Sequence, residues 1–185
     1  MSNQADHFRA QEVIVDLINS APHSDQVERL GGVGDLSSLM QTWIVTEADV
    51  PREVDVDRLH RFRARLRALV IAPDPAAKID IVNTLLSGAD VHPRLVQHDG
   101  LALHIHYFAP YASVAEHLMT DCAMELALMF EGGEGDRLKE CAAPDCGSVF
   151  IDRSKNRSRL YCDSQTCGNR LHAAAYRARS TGAVR

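Results

Sequence analysis

The chain has 185 residues, 45% of them hydrophobic, and a formal net charge of −5. This is enough for one sizeable core plus a satellite module and excludes a disordered polymer. No apolar run approaches the roughly 20 residues of a membrane span, and the polar start Met1-Ser-Asn-Gln-Ala-Asp lacks the layout of a secretion signal, so a cytoplasmic protein is expected. The charge is split: residues 137–185 carry ten Lys and Arg against four Asp and Glu, and residues 1–136 ten against twenty-one. An acidic body with a basic tail suits a module that meets polyanions, or one that docks on its own body.

In chain order, Val13, Ile14, Leu17 and Ile18 share one helical face and predict a helix from His7 to Ser20, stopped by Pro22. Asp16 and Asn19 are neighbours on it. They are candidates to hydrogen-bond a small effector, although such groups more often tie a helix to an adjoining turn. Gly31-Gly-Val-Gly34 has neither the preceding strand nor the Lys-Ser/Thr of a phosphate loop and reads as a connection. Asp35 is expected to cap a helix with Leu36, Leu39, Met40, Trp43 and Ile44 inward, which places the only Trp in the core. Pro51 or Asp55 opens the next helix, with Leu59, Phe62, Leu66, Leu69 and Val70 inward. Its Arg58, Arg61, Arg63, Arg65 and Arg67 read as a solvated face paired with Glu53, Asp55 and Asp57, the alternative being a second nucleic-acid surface. Asp74-Pro75 supplies the N-cap and first position of a helix carrying Ile79, Val82, Leu85 and Leu86 and ending at Gly88.

A hairpin follows, with Arg94–Gln97 and Leu101–Phe108 flanking the turn His98-Asp99-Gly100. Leu101, Leu103, Ile105 and Tyr107 alternate with Ala102, His104, His106 and Phe108, so His104 and His106 share a face, expected to be the exposed one. A second metal there, or a pH response, is the alternative reading. Ser113-x-x-Glu116 is a capping box for a wide apolar helix with Ala115, Leu118, Met119, Cys122, Leu126, Met129 and Phe130, in which Cys122 is inert core. Glu131-Gly-Gly-Glu-Gly135 ends it and is the expected hinge between a domain of residues 1–135 and a module of residues 136–185.

That module carries the chemistry. Cys141 and Cys146, then Cys162 and Cys167, are two pairs with equal four-residue gaps. They offer four thiolates, the full tetrahedral set of a structural Zn²⁺, with no coordination position left for catalysis. Disulfides or a redox switch compete with this reading, but the odd cysteine count and the absence of a secretion signal favour the metal. Val149–Ile151 and Leu160–Tyr161 read as the strands of a hairpin, and Asn169 to Arg179 as a helix. So little apolar material needs the ion's stabilisation, on the order of 10–16 kcal/mol in small fingers.

At these residues the run Cys-x4-Cys-Gly-Ser-Val-Phe-Ile-Asp-Arg-Ser-Lys-Asn-Arg-Ser-Arg-Leu-Tyr-Cys-x4-Cys-Gly-Asn-Arg resembles the CGNR zinc-finger family, in which a treble-clef-like finger follows an ABATE domain. Upstream, Val15-Asp16-Leu17-Ile18-Asn19 and Leu39-x3-Trp43 carry a looser likeness. Leu160-Tyr161 stands where that family often has Arg-Trp, which removes one positive charge. The resemblance implies an α+β chain, a mostly helical N-terminal domain with a small β-hairpin and then a four-cysteine zinc finger, acting as a stress-linked bacterial transcription regulator.

For such a regulator the candidate nucleic-acid contacts are Arg153, Lys155, Arg157 and Arg159 on the loop, and Asn169, Arg170, His172, Arg177 and Arg179 on the helix, where Asn169 also suits an N-cap. Few aromatics remain for stacking single strands, which favours duplex DNA over RNA. Specific binding by so small a finger implies a homodimer. A zinc-stapled interaction module is the second reading. No enzyme is expected, because His172 lacks paired carboxylates for a second, catalytic metal.

Overall fold

The computed structural model describes residues 2–24, 26–45, 48–97 and 103–168. The His98-Asp99-Gly100 turn and the Asn169–Arg179 helix lie outside the described residues. Those described form helices α1 (Ser2–Asn19), α2 (Val33–Trp43), α3 (Glu53–Ile71), α4 (Pro75–Ser87) and α5 (Val114–Glu131). With them are two antiparallel hairpins, β1 (Val91–Val96) with β2 (His104–Phe108) and β3 (Leu138–Glu140) with β4 (Val149–Ile151). The fold is α+β, as the sequence suggested.

Helix α5 is central, packing on α1, α3, α4 and β2. The expected capping box is in place: the Glu116 N–H donates to Ser113 Oγ at 3.3 Å, and the Ser113 N–H to Glu116 Oε2 at 2.9 Å. Beyond it, Ala115, Leu118, Cys122, Leu126 and Met129 line one buried stripe. Burial pushes the Cys122 thiol up, with Asp121 and Glu125 adding to the shift, which keeps it unreactive. Ile14, Leu17, Leu59, Leu66 and Leu126 are fully buried around this stripe, each contributing about 1.5–3 kcal/mol. Leu138, Val149 and Ile151, on the far side of the 135/136 boundary, belong to the same core as the helices.

Several local expectations are corrected. Helix α2 begins at Val33 with Gly32 as its N-cap. Asp35 therefore lies within the first turn and accepts from the Gly31 N–H at 2.8 Å. Ile44 ends α2 in the left-handed conformation (φ 55) and is exposed, as is Ile79 on α4, so the apolar stripes of both helices are narrower than their periodicity. The α3 arginines do not pair with Glu53 or Asp57. Arg58 meets Glu116, Arg63 meets Glu28, and Arg67 meets Glu140, all partners distant in sequence. Asp55 instead is fully buried and accepts from the Arg52 N–H at 2.9 Å.

Both hairpins differ from expectation. In β2 the inward face is the histidine face: Phe108 and His106 are buried, whereas Leu103 and Ile105 are exposed. Phe108 stacks on His117 of α5 at a ring separation of 3.6 Å, and that contact selects the face. Strand alternation only guarantees that the two sets lie opposite one another. In the C-terminal module β4 pairs with β3 through Leu138↔Ile151 and Glu140↔Val149. Leu160-Tyr161 is not a strand, and its link to the sheet side is the Ala142 N–H donating to Leu160 O at 2.8 Å.

Candidate metal centre

Each cysteine is placed by a separate piece of backbone. Cys141 follows β3, its N–H donating to Ser148 O at 2.8 Å. Cys146 closes a tight knuckle, its N–H donating to Ala143 O at 3.1 Å, and Gly147 continues it at φ +68, a conformation side-chain-bearing residues rarely adopt. Cys162 follows the long loop, and Cys167 sits in a helical turn, Ser164–Gly168. The four sulfurs lie within 4.8 Å of one another. Cys146 Sγ to Cys162 Sγ is 3.6 Å and Cys162 Sγ to Cys167 Sγ is 3.8 Å. A tetrahedral ion with metal–sulfur distances of about 2.3 Å requires sulfur–sulfur edges of roughly 3.8 Å, so the donor set and its spacing fit one ion. All five cysteines are free thiols.

The thiols are unequal. Burial opposes ionisation of Cys146, but hydrogen bonds from Ser148, Cys162 and Cys167 prevail and bring it to about 7. Burial pushes Cys162 and Cys167 up, with neighbouring thiols contributing. Of Cys146, Cys162 and Cys167, Cys146 is thus the readiest to lose its proton to an incoming cation. The Cys162 N–H points at Cys141 Sγ at 3.4 Å, a contact suited to a thiolate.

Support for the knuckle comes from the helical body, through His23, which the sequence did not mark, and through Arg67 and Asn19, which it marked for other roles. His23 Nε2 lies 3.1 Å from Ser148 Oγ, which is 3.3 Å from Cys146 Sγ. Arg67 Nη1 donates to Gly147 O at 2.5 Å. Asn19 clamps β4: its Nδ2 donates to Val149 O and its Oδ1 accepts from the Val149 N–H, both at 2.8 Å. The helix–turn tie expected of Asn19 is therefore a helix–strand tie across the molecule. Asp16 accepts from Trp43 Nε1 at 3.1 Å and from Arg29 at 3.2 Å.

The loop between β4 and Cys162 is built around one buried carboxylate. Asp152 accepts from Ser154 N (2.9 Å), Ser154 Oγ (2.6 Å), Arg159 N (2.8 Å) and Lys139 Nζ (2.7 Å). Burial works against its charge, yet the Lys139 ammonium and these donors hold it well below the usual carboxylate range. Around this frame the loop cations are largely engaged. Arg157 donates to Gly133 O and Asp136 at 2.8 Å and to Glu134 at 2.7 Å, which ties down the expected hinge. Arg153 lies 3.7 Å from Glu12 and 3.4 Å from the Phe8 ring centroid. Arg159 donates to the carbonyls of Tyr161 and Cys162. Lys155 is exposed, with no ion pair among the described residues. Asn169, Arg170, His172, Arg177 and Arg179 lie outside them. His104 Nε2 and His106 Nε2 are 3.0 Å apart, but among the described residues only the four cysteines bring three or more ligand atoms together.

Two family models match the chain, one after the other. Residues 11–133 match the ABATE family model, described as "Putative stress-induced transcription regulator", and residues 137–180 match the CGNR zinc finger. The chain belongs to the ABATE family. Its ABATE domain precedes a CGNR finger, the expected order, and neither is an enzyme family. No curated protein matches the chain. In the ABATE domain no described helix is long and apolar enough to cross a membrane.

Proposed function

We propose that this protein is a DNA-binding transcription regulator in which Cys141, Cys146, Cys162 and Cys167 hold one structural Zn²⁺ and the ABATE domain carries the regulatory input. The observation that carries the reading is the four-sulfur cluster at tetrahedral spacing, in a basic module clamped to an acidic helical body by Asn19. When bound, the ion cross-links four chain segments and supplies no open coordination position for catalysis. The DNA contacts we assign are the exposed Lys155 with Arg170, His172, Arg177 and Arg179 of the chain beyond Gly168, and Arg159 through its remaining donors. A mobility-shift assay on promoter fragments, with and without chelator and at two salt concentrations, tests this. Contact with about six phosphates gives a log–log salt slope of about −5, lost on chelation. A flat salt response removes the proposal.

A second reading, a zinc-stapled protein-interaction module, is favoured by the pairing of Arg153 and Arg157 with the protein's own Glu12, Glu134 and Asp136. A change in oligomeric mass for Arg157→Ala, with no DNA shift in either protein, selects it.

A further inference from the structure

An open groove of about 870 Å³ runs between the ABATE helices and the finger, within the range of small-molecule sites, about 300–1,000 Å³. Phe8 from α1, Trp43 and Ile44 from the end of α2, and Ile151, Arg153 and Arg159 from the finger line it. Its apolar surface is therefore contributed by both modules. Its charge is not balanced in the same way. Arg9, Arg153 and Arg159 meet two acids, Glu12 and Asp16. Asp16 is already engaged by Trp43 and Arg29. Glu12 reaches Arg153 only at 3.7 Å and is itself more than half exposed. Arg153 pays for its position: burial lowers its pKa, Glu12 offsets this, and repulsion from Arg159 adds to the lowering. Both guanidiniums sit on aromatic faces, Arg153 at 3.4 Å from the Phe8 centroid and Arg159 at 5.0 Å from that of Phe150. Arg159 spends two of its donors on the Tyr161 and Cys162 carbonyls, which leaves part of its five-donor fork for another acceptor.

We infer that this groove is the effector site, and that its ligand is a small organic anion: a carboxylate or phosphate head placed between Arg153 and Arg159, with an aromatic or aliphatic body against Phe8, Ile44 and Ile151. The head relieves the repulsion between the two cations and gains charge-assisted hydrogen bonds in a partly desolvated place. The body covers apolar surface from both modules at once. Occupancy is thereby linked to how the finger is held, and by reciprocity to whatever the finger binds. Arg159 is also one of the proposed DNA contacts, so an anion in the groove competes for it and lowers DNA affinity. That regulatory consequence rests on the proposed DNA-binding role; occupancy of the groove does not.

Trp43 is the only Trp in the chain and lines the groove, so its emission reports occupancy in the zinc-loaded full-length protein. The probes are 4-phenylbutyrate and phenyl phosphate, with neutral 4-phenylbutanol as comparator, followed by Trp43 emission and by calorimetry in the absence of DNA. We expect saturable 1:1 binding of at least one anion with Kd below about 1 mM, and the alcohol about tenfold weaker. Arg153→Gln and Phe8→Ala should each weaken the anion about fivefold or more, whereas Arg65→Gln on α3 leaves it unchanged. No saturable signal, equal binding of the alcohol, or full binding in both groove variants overturns the inference. Should Arg153→Gln fail to fold, Phe8→Ala decides alone, because Phe8 is 44% exposed and outside the core. Ligand binding that persists when no promoter fragment is shifted upholds the groove and removes only the DNA reading. A shift that 4-phenylbutyrate leaves untouched, in protein shown to bind it, overturns the regulatory link.

Discussion

The two hairpins differ in length, strands of six and five residues in one and of three each in the other, and are held in opposite ways. The β1–β2 hairpin has one buried face, and the side that meets α5 carries His106 and Phe108 while Leu95, Leu103 and Ile105 face outward. In β4 all three residues, Val149, Phe150 and Ile151, are buried: Val149 and Ile151 in the core of the helical body, Phe150 in the small cluster beside Cys141 and Cys167. One hairpin is therefore covered on one side. The other is a seam between a large apolar core and a metal-ligand cluster. A strand that serves two cores needs a fixed register, and the Asn19 amide supplies it by engaging both backbone groups of Val149.

This contrast yields predictions of decreasing size. Chelation or Cys162→Ser should have the largest effect, since structural zinc is worth on the order of 10–16 kcal/mol in small fingers. In hydrogen exchange the Cys162 and Gly168 amides should lose protection while the Val149 amide keeps it, because Val149 is held by Asn19 and the helical core. Loss of protection at Val149 as well would place the whole seam under control of the metal. Next, Phe108→Ala should destabilise by about 3–5 kcal/mol in urea unfolding, and Ile105→Ala by less than about 1 kcal/mol. The reverse order would invert the face assigned to β2. Asn19→Ala, which leaves the N–H and C=O of Val149 without their partner, should cost about 2–4 kcal/mol.

Acid sharpens the comparison from the other side. The Asp152 carboxyl is depressed in the folded state, so its contribution is present above the ordinary carboxylate pKa and is lost as pH falls through the lower, folded value. Asp152→Asn should remove that pH dependence, and loop amides such as Arg159 N should lose protection at neutral pH. The smallest effect belongs to the surface. Arg157→Ala, breaking partly exposed pairs with Glu134 and Asp136, should cost less than about 1 kcal/mol, while Lys155→Ala should reduce the DNA salt slope by about one.

The two hairpins also mark the limits of local signals. Alternation predicts a strand over Leu101–Phe108, of which His104–Phe108 is β2, but the histidine face it assigns to solvent is the buried one, because each face presents alternate residues able to pack and α5 makes the choice. For β4, the β-prone run predicts Val149–Ile151 but points to a partner downstream at Leu160-Tyr161. The observed partner, Leu138–Glu140, is a three-residue strand with a Lys and a Glu in it, too short for its pattern to stand out. The α3 arginines show the same limit. Their spacing announced an exposed charged face, whereas Arg63 and Arg67 reach Glu28 and Glu140, residues no helical period relates to them.

The sequence by itself determined the cysteine spacing, the caps at Asp74 and Ser113, the wide stripe of α5 and the split of charge between body and tail. The caps join residues three apart in the chain, and the others are patterns of spacing and charge that can be read without knowing which surfaces meet. Only the tertiary structure decided that Asn19 holds Val149, that His23 and Ser148 stand behind Cys146, that Arg157 binds Glu134 and Asp136, and that a cationic groove opens between the two modules. Such pairings join positions up to 130 residues apart, and they follow from which buried surfaces meet, a choice made by the packing of the whole chain.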